Sequence, residues 1–135
     1  MYKRQVLENL LFSASSVKND SLFRSLLSSN EQKNYEKDLN EEANRVMKEL
    51  NISHMAGSYA RELSGGQKKL LELARSIIHK PEVLLLDEPL AGVNPKLAED
   101  ILYLIQKLSD EGIVIIMVEH NIEACLLYTS PSPRD

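Results

Sequence analysis

The spacing of apolar and polar residues predicts helices in the first half of the chain. Residues 6–11 carry apolar side chains at helical spacing and are expected to form a short helix. Residues 13–30, rich in Ser and Asn, are expected to form a loop with a weak helical turn. The charged residues 30–50 carry apolar side chains every three or four positions, at Leu39, Ala43, Val46, Met47 and Leu50. This spacing predicts an amphipathic helix with one buried face and one charged, solvated face.

The second half of the chain alternates between helical and strand patterns. A helix is predicted to begin at Gly65 and to end before Pro81, because proline cannot donate to the helical hydrogen-bond ladder. Residues 83–86 and 113–118 are continuous apolar runs, which predict strands buried on both faces of a parallel sheet. The amphipathic pattern of residues 95–109 lies between them. The order strand, helix, strand predicts a βαβ unit with a right-handed crossover.

Composition and charge favour an ordinary globular protein and exclude several functions. The 135 residues are 43% apolar and 27% charged, values typical of soluble domains. The net charge of −4 and the scattered basic residues predict no nucleic-acid partner. The only cysteine is Cys125, so neither a disulfide nor a cysteine metal cluster is expected. The longest apolar run, residues 113–118, is too short for a membrane span.

Residues 1–5 and 125–135, at the two ends of the chain, differ in composition from the sequence between them. Residues 125–135 can be back-translated into one strand of a sequencing-library adapter, and residues 1–5 into the other strand. Both ends are therefore predicted to be adapter-derived and not to be part of the natural fold, with residues 6–124 as the natural sequence. A disordered Ser/Pro-rich tail is the alternative for the second end.

A glycine-rich motif opens the helix predicted at Gly65. Residues 63–67 read Leu-Ser-Gly-Gly-Gln, in which Ser64 can cap the helix and Gly65 and Gly66 allow close approach of the backbone to an anion. The first turn of a helix presents free N–H groups and a partial positive charge, which together favour phosphate. The three residues Ser-Gly-Gly alone are more often a helix cap than a ligand site. The full motif, continued by Gln67, is more specific.

Charged residues follow each of the two predicted strands. Asp87 and Glu88 come directly after residues 83–86, and Glu119 and His120 come directly after residues 113–118. The carboxyl ends of parallel strands are the usual location of chemistry in α/β sheets. One carboxylate there can hold Mg²⁺, directly or through water, and the next can orient or deprotonate an attacking water. An exposed acidic pair without catalytic function is the alternative for Asp-Glu alone.

At these spacings the motifs resemble the ATP-binding subunit of an ABC transporter. The resemblance covers residues 6–124 and implies an α/β fold: the C-terminal part of a P-loop NTPase core of the ABC type, with parallel strands, plus the ABC helical subdomain. Residues 6–81 would form the helical subdomain with the signature motif. Residues 82–124 would form the partial core with the Walker B, D-loop and H-loop segments.

The resemblance also implies a role for each motif. Asp87 would be the Walker B aspartate that holds Mg²⁺, Glu88 the catalytic glutamate, and His120 the switch histidine at the γ-phosphate. The signature motif would bind ATP held by the opposite subunit of a dimer, through Ser64, Gly65, Gly66 and Gln67. The D-loop would cross the dimer interface and consists of Ala91, Gly92, Val93 and Asn94. Many members of the family carry Asp where Asn94 stands.

No G-x-x-x-x-G-K-[ST] loop occurs in the 135 residues. In the family that Walker A loop, an adenine-stacking aromatic residue and the Q-loop glutamine precede the signature, so all three would lie upstream of Val6. The chain is therefore expected to be a fragment that is inactive alone, although the retained Glu88 and His120 indicate an ATPase for the complete protein.

The subfamily and the partners follow from the same resemblance. Leu-Leu-Glu-Leu-Ala-Arg after the signature and Ala-Gly-Val-Asn-Pro in the D-loop are similar to branched-chain amino-acid importers. Lipopolysaccharide-export ATPases share a similar D-loop and are the alternative, followed by a soluble ABC ATPase and by a regulatory domain without activity. The implied cofactors are ATP and Mg²⁺, and the implied partners are a second ATPase subunit and transmembrane permease subunits. The protein would lie at the cytoplasmic face of the inner or plasma membrane, bound through those permeases.

Overall fold

A computed structural model describes residues 4–16 and 29–120 of the chain. In chain order its elements are α1 (Val6–Ser16), α2 (Ser29–Glu49), two short 3₁₀ turns (Ser53–Met55 and Ala60–Glu62), α3 (Gly65–Ile77), β1 (Val83–Asp87), α4 (Pro95–Asp110) and β2 (Val114–Val118). The adapter predictions for residues 1–3 and 125–135, and the last residues of the predicted partial core, lie outside the described part. None of the described helices is long and apolar enough to span a bilayer.

The chain divides into two compact units, Met1–Lys80 and Pro81–Asp135, called here the first unit and the second unit. The described residues of the first unit include helices α1 to α3. The second unit contains β1, α4 and β2.

The first unit has an apolar core between its helices. Its fully buried large side chains are Val6, Leu10, Val46, Met47 and Ile52. The start of α1 is held by backbone pairing with the segment before α3: Val6 N–H donates to Ser58 O at 3.0 Å and Ala60 N–H donates to Arg4 O at 3.1 Å.

The end of one helix of the first unit differs from the predictions. Helix α1 continues through Ser16, so the prediction of a loop from residue 13 is wrong for residues 13–16. The side chain of Ser13 is buried and lies 3.1 Å from His79 Nε2, so this stretch packs against the region that follows α3 instead of entering a loop. Helix α3 ends at Ile77, before Lys80, which has a left-handed φ of 49°. The predicted loop and helical turn at residues 17–28 lie outside the described residues.

The second unit is built on a two-stranded parallel sheet. Strand β1 pairs with β2 in the register Val83 with Val114 through Asp87 with Val118. Helix α4 connects the two strands, and its buried face consists of Ile101, Leu102, Leu104, Ile105 and Leu108. The α/β class and the parallel arrangement of the strands are therefore confirmed.

The prediction that both strands are buried on both faces is wrong for this unit. Leu84 and Leu86 are buried, at 4% and 9% exposure, but Leu85 between them is 71% exposed. On the neighbouring strand Val114, Ile116 and Val118 are also more than half exposed, at 56%, 51% and 55%. Within the described residues of the second unit, α4 is the only helix, and one face of the sheet has no layer packed on it.

Candidate functional site

The signature motif forms the N-terminus of α3 through its polar side chains. Ser64 Oγ accepts a hydrogen bond from Gln67 N–H at 3.2 Å, and Gln67 Oε1 accepts one from Ser64 N–H at 2.9 Å. This reciprocal capping box satisfies two backbone donors at the start of the helix. Ser64 and Gly65 are exposed, so the start of the helix lies at the surface, where the amides that the capping box does not use could receive an anion.

The register of the sheet brings the charged residues of the second unit to one edge. Asp87 is paired with Val118, so the residues that follow each strand emerge side by side. Glu88 N–H continues the ladder by donating to Val118 O at 2.9 Å. Glu88, Glu119 and His120 therefore lie together, as parallel strand ends require.

Glu88 has a backbone conformation that side-chain-bearing residues rarely adopt. Its φ is +46°, in the left-handed region. Its carbonyl accepts a hydrogen bond from Ala91 N–H at 3.1 Å, which closes a tight turn directly after the strand. The left-handed region costs a residue other than glycine about 1–2 kcal/mol. Such strain at a strand end is typical of functional sites, and the sequence carried no signal for it.

Glu88 and His120 contact each other. His120 Nε2 lies 2.9 Å from Glu88 Oε1, and their side chains are 85% and 43% exposed respectively. A contact between side chains this exposed contributes at most about 0–1 kcal/mol, so its importance is geometric. It places a potential general base directly beside a potential hydrogen-bond donor, so that one water and one phosphate oxygen could approach the exposed sides of the pair.

Glu119 makes a hydrogen bond that sequence reasoning missed. Its Oε1 accepts from Leu90 N–H at 2.7 Å, in a partly buried position. The bond connects the residue after β2 to the turn after β1. The only sequence signal was the acidic residue directly before His120, and its partner is a backbone amide 29 positions away.

The predicted D-loop forms the connection between that turn and α4. Gly92 has a φ of +71°, which glycine adopts without the penalty of a side chain. Asn94 is the N-cap of α4, and its Oδ1 accepts from Leu97 N–H at 2.9 Å. Ala91, Gly92 and Asn94 are exposed. The amide oxygen of Asn94 therefore has a defined structural role at this position.

Asp87 is the residue that could contribute to a Mg²⁺ site. It is exposed at the end of β1. No group of three or more His, Cys, Asp or Glu side chains that could hold a metal occurs in the described ranges. A single carboxylate fits Mg²⁺, which keeps several waters and takes its remaining ligands from nucleotide phosphates.

The predicted site residues are distributed over the two units. Glu88 and His120 are in contact, and Asp87 precedes them on the same strand end. Ser64, Gly65, Gly66 and Gln67 belong to the first unit, whereas the acidic pair, the predicted D-loop and His120 belong to the second.

Comparison with known proteins gives consistent matches. A family model described as ABC transporter matches residues 4–91. A probable branched-chain amino acid transport ATP-binding protein of Archaeoglobus fulgidus is 38% identical over 127 residues, which are 94% of this chain and 48% of the relative. The lipopolysaccharide export system ATP-binding protein of Escherichia coli is 39% identical over 84 residues, which are 62% of this chain and 35% of the relative.

Solved structures show the same likeness. The crystal structure of a nucleotide-free ATP-binding cassette from an ABC transporter superposes with a TM-score of 0.71 at 32% identity, covering 94% of this chain and 49% of that one. The ADP conformation of an ATP-binding cassette gives a TM-score of 0.70 at 33% identity, with the same coverage of 94% and 49%. The chain spans about half the length of these proteins or less.

Proposed function

Because the chain belongs to the ABC transporter family, we propose that it is part of an ATP-binding subunit that hydrolyses ATP to drive transmembrane transport. The observation that carries the proposal is the contact between Glu88 and His120, 2.9 Å apart at the carboxyl edge of the parallel sheet. ATP hydrolysis needs a group that orients or deprotonates water and a donor at the γ-phosphate, and this edge offers one of each.

The chemistry assigns a step to each residue. The Glu88 carboxylate orients the attacking water and accepts its proton, and His120 donates a hydrogen bond to a γ-phosphate oxygen. Asp87 would hold Mg²⁺, directly or through water. When bound, the ion neutralises charge on the β- and γ-phosphates.

The partners in this proposal are a second ATPase subunit and transmembrane permease subunits. ATP would lie between two such subunits. Ser64, Gly65 and Gly66 would contact the γ-phosphate of the nucleotide held by the other subunit, with Gln67 holding the cap in place. Residues 91–94 would reach the dimer interface. Residues 6–81 would be the helical subdomain and residues 82–124 part of the ATPase core, docked through permeases at the cytoplasmic face of the membrane.

The proposed substrate class is branched-chain amino acids. It is supported by the relative from Archaeoglobus fulgidus, whose match extends over nearly the whole chain, whereas the match to the lipopolysaccharide export protein is confined to a shorter part. Lipopolysaccharide export is the second candidate, since the two relatives have similar identity where they align. Transport assays of the complete system with leucine and with lipopolysaccharide would separate these two substrates.

The test of hydrolysis is Glu88→Gln in the complete subunit. The amide keeps the shape of the side chain and removes the basic oxygen, so the hydrolysis rate should fall by about 10²–10⁴-fold while ATP binding is retained. Glu99→Gln, the same change at an exposed position of α4, is the matched control and should keep the parent rate. Hydrolysis by Glu88→Gln at the parent rate would show that another group activates the water.

A further inference from the structure

Three hydrogen-bonded connections join the turn after β1 to the end of β2. Glu88 N–H donates to Val118 O at 2.9 Å, and Leu90 N–H donates to Glu119 Oε1 at 2.7 Å. The third connection is the contact of Glu88 Oε1 with His120 Nε2 at 2.9 Å. Both ends of the segment 88–90 are thereby bonded to residues 118–120.

The bond to Glu119 attaches the turn at a second point, in addition to the ladder bond of Glu88. Glu88 is anchored on one side by its own N–H and on the other by the turn that its carbonyl closes with Ala91. Leu90 lies inside this turn, and its N–H has Glu119 as acceptor in a partly buried position. If that acceptor were removed, the turn could rotate to pair the amide with water. Glu88 would then be free to leave its left-handed φ of +46°.

The chemistry of the bond suits a positioning role. Its acceptor is a carboxylate, and such charge-assisted bonds are shorter and stronger than those between neutral groups. Glu119 also directly precedes His120, so the same side chain ties the backbone that carries the histidine to the turn that carries the glutamate.

We propose that Glu119 is a positioning residue. By accepting the hydrogen bond from Leu90 N–H, it holds Glu88 in its left-handed conformation and keeps the Glu88 carboxylate directed at His120. The inference rests on the proposed ATPase function. Glu119 itself has no contact with substrate in this assignment and acts through Glu88.

The first measurement is ATP hydrolysis by Glu119→Ala and Glu119→Gln in the complete subunit. Displacement of a reacting group by about 1 Å costs up to about 10²-fold in rate, so kcat of Glu119→Ala should fall by about 10–100-fold with little change in KM. Glu119→Gln keeps an acceptor oxygen and should recover most of the rate. Glu99→Ala on α4 is the matched control and should behave as the parent.

A second measurement separates positioning from a general loss of structure. If Glu119 acts only through Glu88, adding Glu119→Ala to Glu88→Gln should leave the residual hydrolysis unchanged, because residues that act as one unit are not additive. A structural role would lower the rate in both backgrounds by the same factor. Equal factors in the two backgrounds, or a parent-like rate in Glu119→Ala, would overturn the inference.

Hydrogen exchange at the Leu90 amide tests the positioning role of Glu119 separately from the proposed ATPase function. Exchange should accelerate in Glu119→Ala and remain slow in Glu119→Gln and Glu99→Ala. An unchanged Leu90 exchange rate in Glu119→Ala would refute the positioning role whatever the hydrolysis data show. Absence of hydrolysis in both the parent and Glu99→Ala would refute the proposed function instead.

Discussion

His79 is a single residue on which burial and charge act in the same direction. Burial lowers the pKa of the His79 imidazole below its usual value of 6.5, and the nearby Arg75 guanidinium lowers it further. The folded first unit therefore favours the neutral ring, which lies against Ser13 Oγ at 3.1 Å. Because the unfolded chain binds the proton more readily, the stability from this group is present above about pH 6.5 and is lost as the pH falls towards the lower folded pKa.

The lowered pKa of His79 gives a prediction for the variant His79→Gln. Glutamine can keep a hydrogen bond to Ser13 but does not titrate in this range. The free energy of unfolding of the first unit should therefore fall less for the variant than for the parent between about pH 7.5 and about pH 5.5. Urea unfolding followed by circular dichroism at both pH values measures the difference. An identical loss in parent and variant would contradict the assignment of the effect to His79.

The backbone conformation and the hydrogen bonds of the residues at the acidic edge were the hardest part of the site to predict from the sequence. Asp87, Glu88 and His120 could be predicted, because carboxyl ends of parallel strands share an edge. The left-handed φ of Glu88 could not, since glutamate carries no propensity for that region. The hydrogen bond of Glu119 could not be predicted either. Its donor is the backbone amide of Leu90, which any residue except proline would provide, and only the register of the two strands brings this amide close to Glu119.

At the scale of elements, α4 shows how local sequence determines where a helix begins and ends. Asn94 caps its start, and Pro95 occupies the first helical position, where a missing N–H costs nothing. At its end Gly112 has a φ of +98°, and Gly112 N–H and Ile113 N–H donate to Ser109 O and Leu108 O. This is a Schellman arrangement, which satisfies carbonyls that would otherwise lack partners.

The capping role of Asn94 predicts different effects on stability for two substitutions at this position. Asn94→Ala removes the acceptor for Leu97 N–H and should lower the free energy of unfolding of the second unit by about 1 kcal/mol. Asn94→Asp keeps an oxygen at the same place and should leave stability near the parent value. Denaturant unfolding of both variants is the measurement, and equal losses for Ala and Asp would rule out the capping bond as the cause.

Strand β1 offers a second matched pair, at adjacent residues on opposite faces. Leu84 is 4% exposed and Leu85 is 71% exposed. Leu84→Ala should lower the free energy of unfolding by about 2–5 kcal/mol, because it removes buried methyl groups and leaves a cavity. Leu85→Ala should change it by about 0.5 kcal/mol or less. Comparable losses at both positions would mean that the exposed face is covered in solution, for example by self-association.

The strands also show where element prediction from sequence ends. Apolar runs at residues 83–86 and 113–118 located both strands to within one residue at each end. The runs could not show whether a second layer covers the sheet, because a residue such as Leu85 has the same apolar character whether or not its partner layer is present. Helix α2 was predicted to within one residue at each end, since the apolar residues Leu39, Ala43, Val46 and Met47 recur at helical spacing within a charged stretch.

At the scale of the whole molecule, the motifs proposed to bind nucleotide belong to two compact units, Met1–Lys80 with Leu-Ser-Gly-Gly-Gln and Pro81–Asp135 with the acidic edge. In the family these motifs act together with a Walker A loop, and no such sequence occurs in the 135 residues. The residues present reach only the terminal phosphate in the proposed arrangement. We expect most of the nucleotide affinity to come from groups other than these.

The 135-residue chain alone should therefore hydrolyse no ATP and bind it weakly at most, because it lacks the phosphate-binding nest and lysine that supply most of the affinity. Calorimetry of the monodisperse chain with Mg-ATP measures binding, and phosphate release measures hydrolysis. The complete subunit serves as the positive control. Micromolar affinity of the chain alone would show that its own residues bind the nucleotide.

The left-handed φ of Glu88 has a consequence for directed evolution. Glycine and asparagine occupy this backbone region at lower cost than glutamate, so position 88 is one where foldability and the proposed activity favour different amino acids. A library selected for thermal tolerance alone would enrich those two residues there and lose the base. A library selected for transport would retain glutamate despite its conformational cost, and the contrast between the two populations would identify position 88 without any assay of the purified protein.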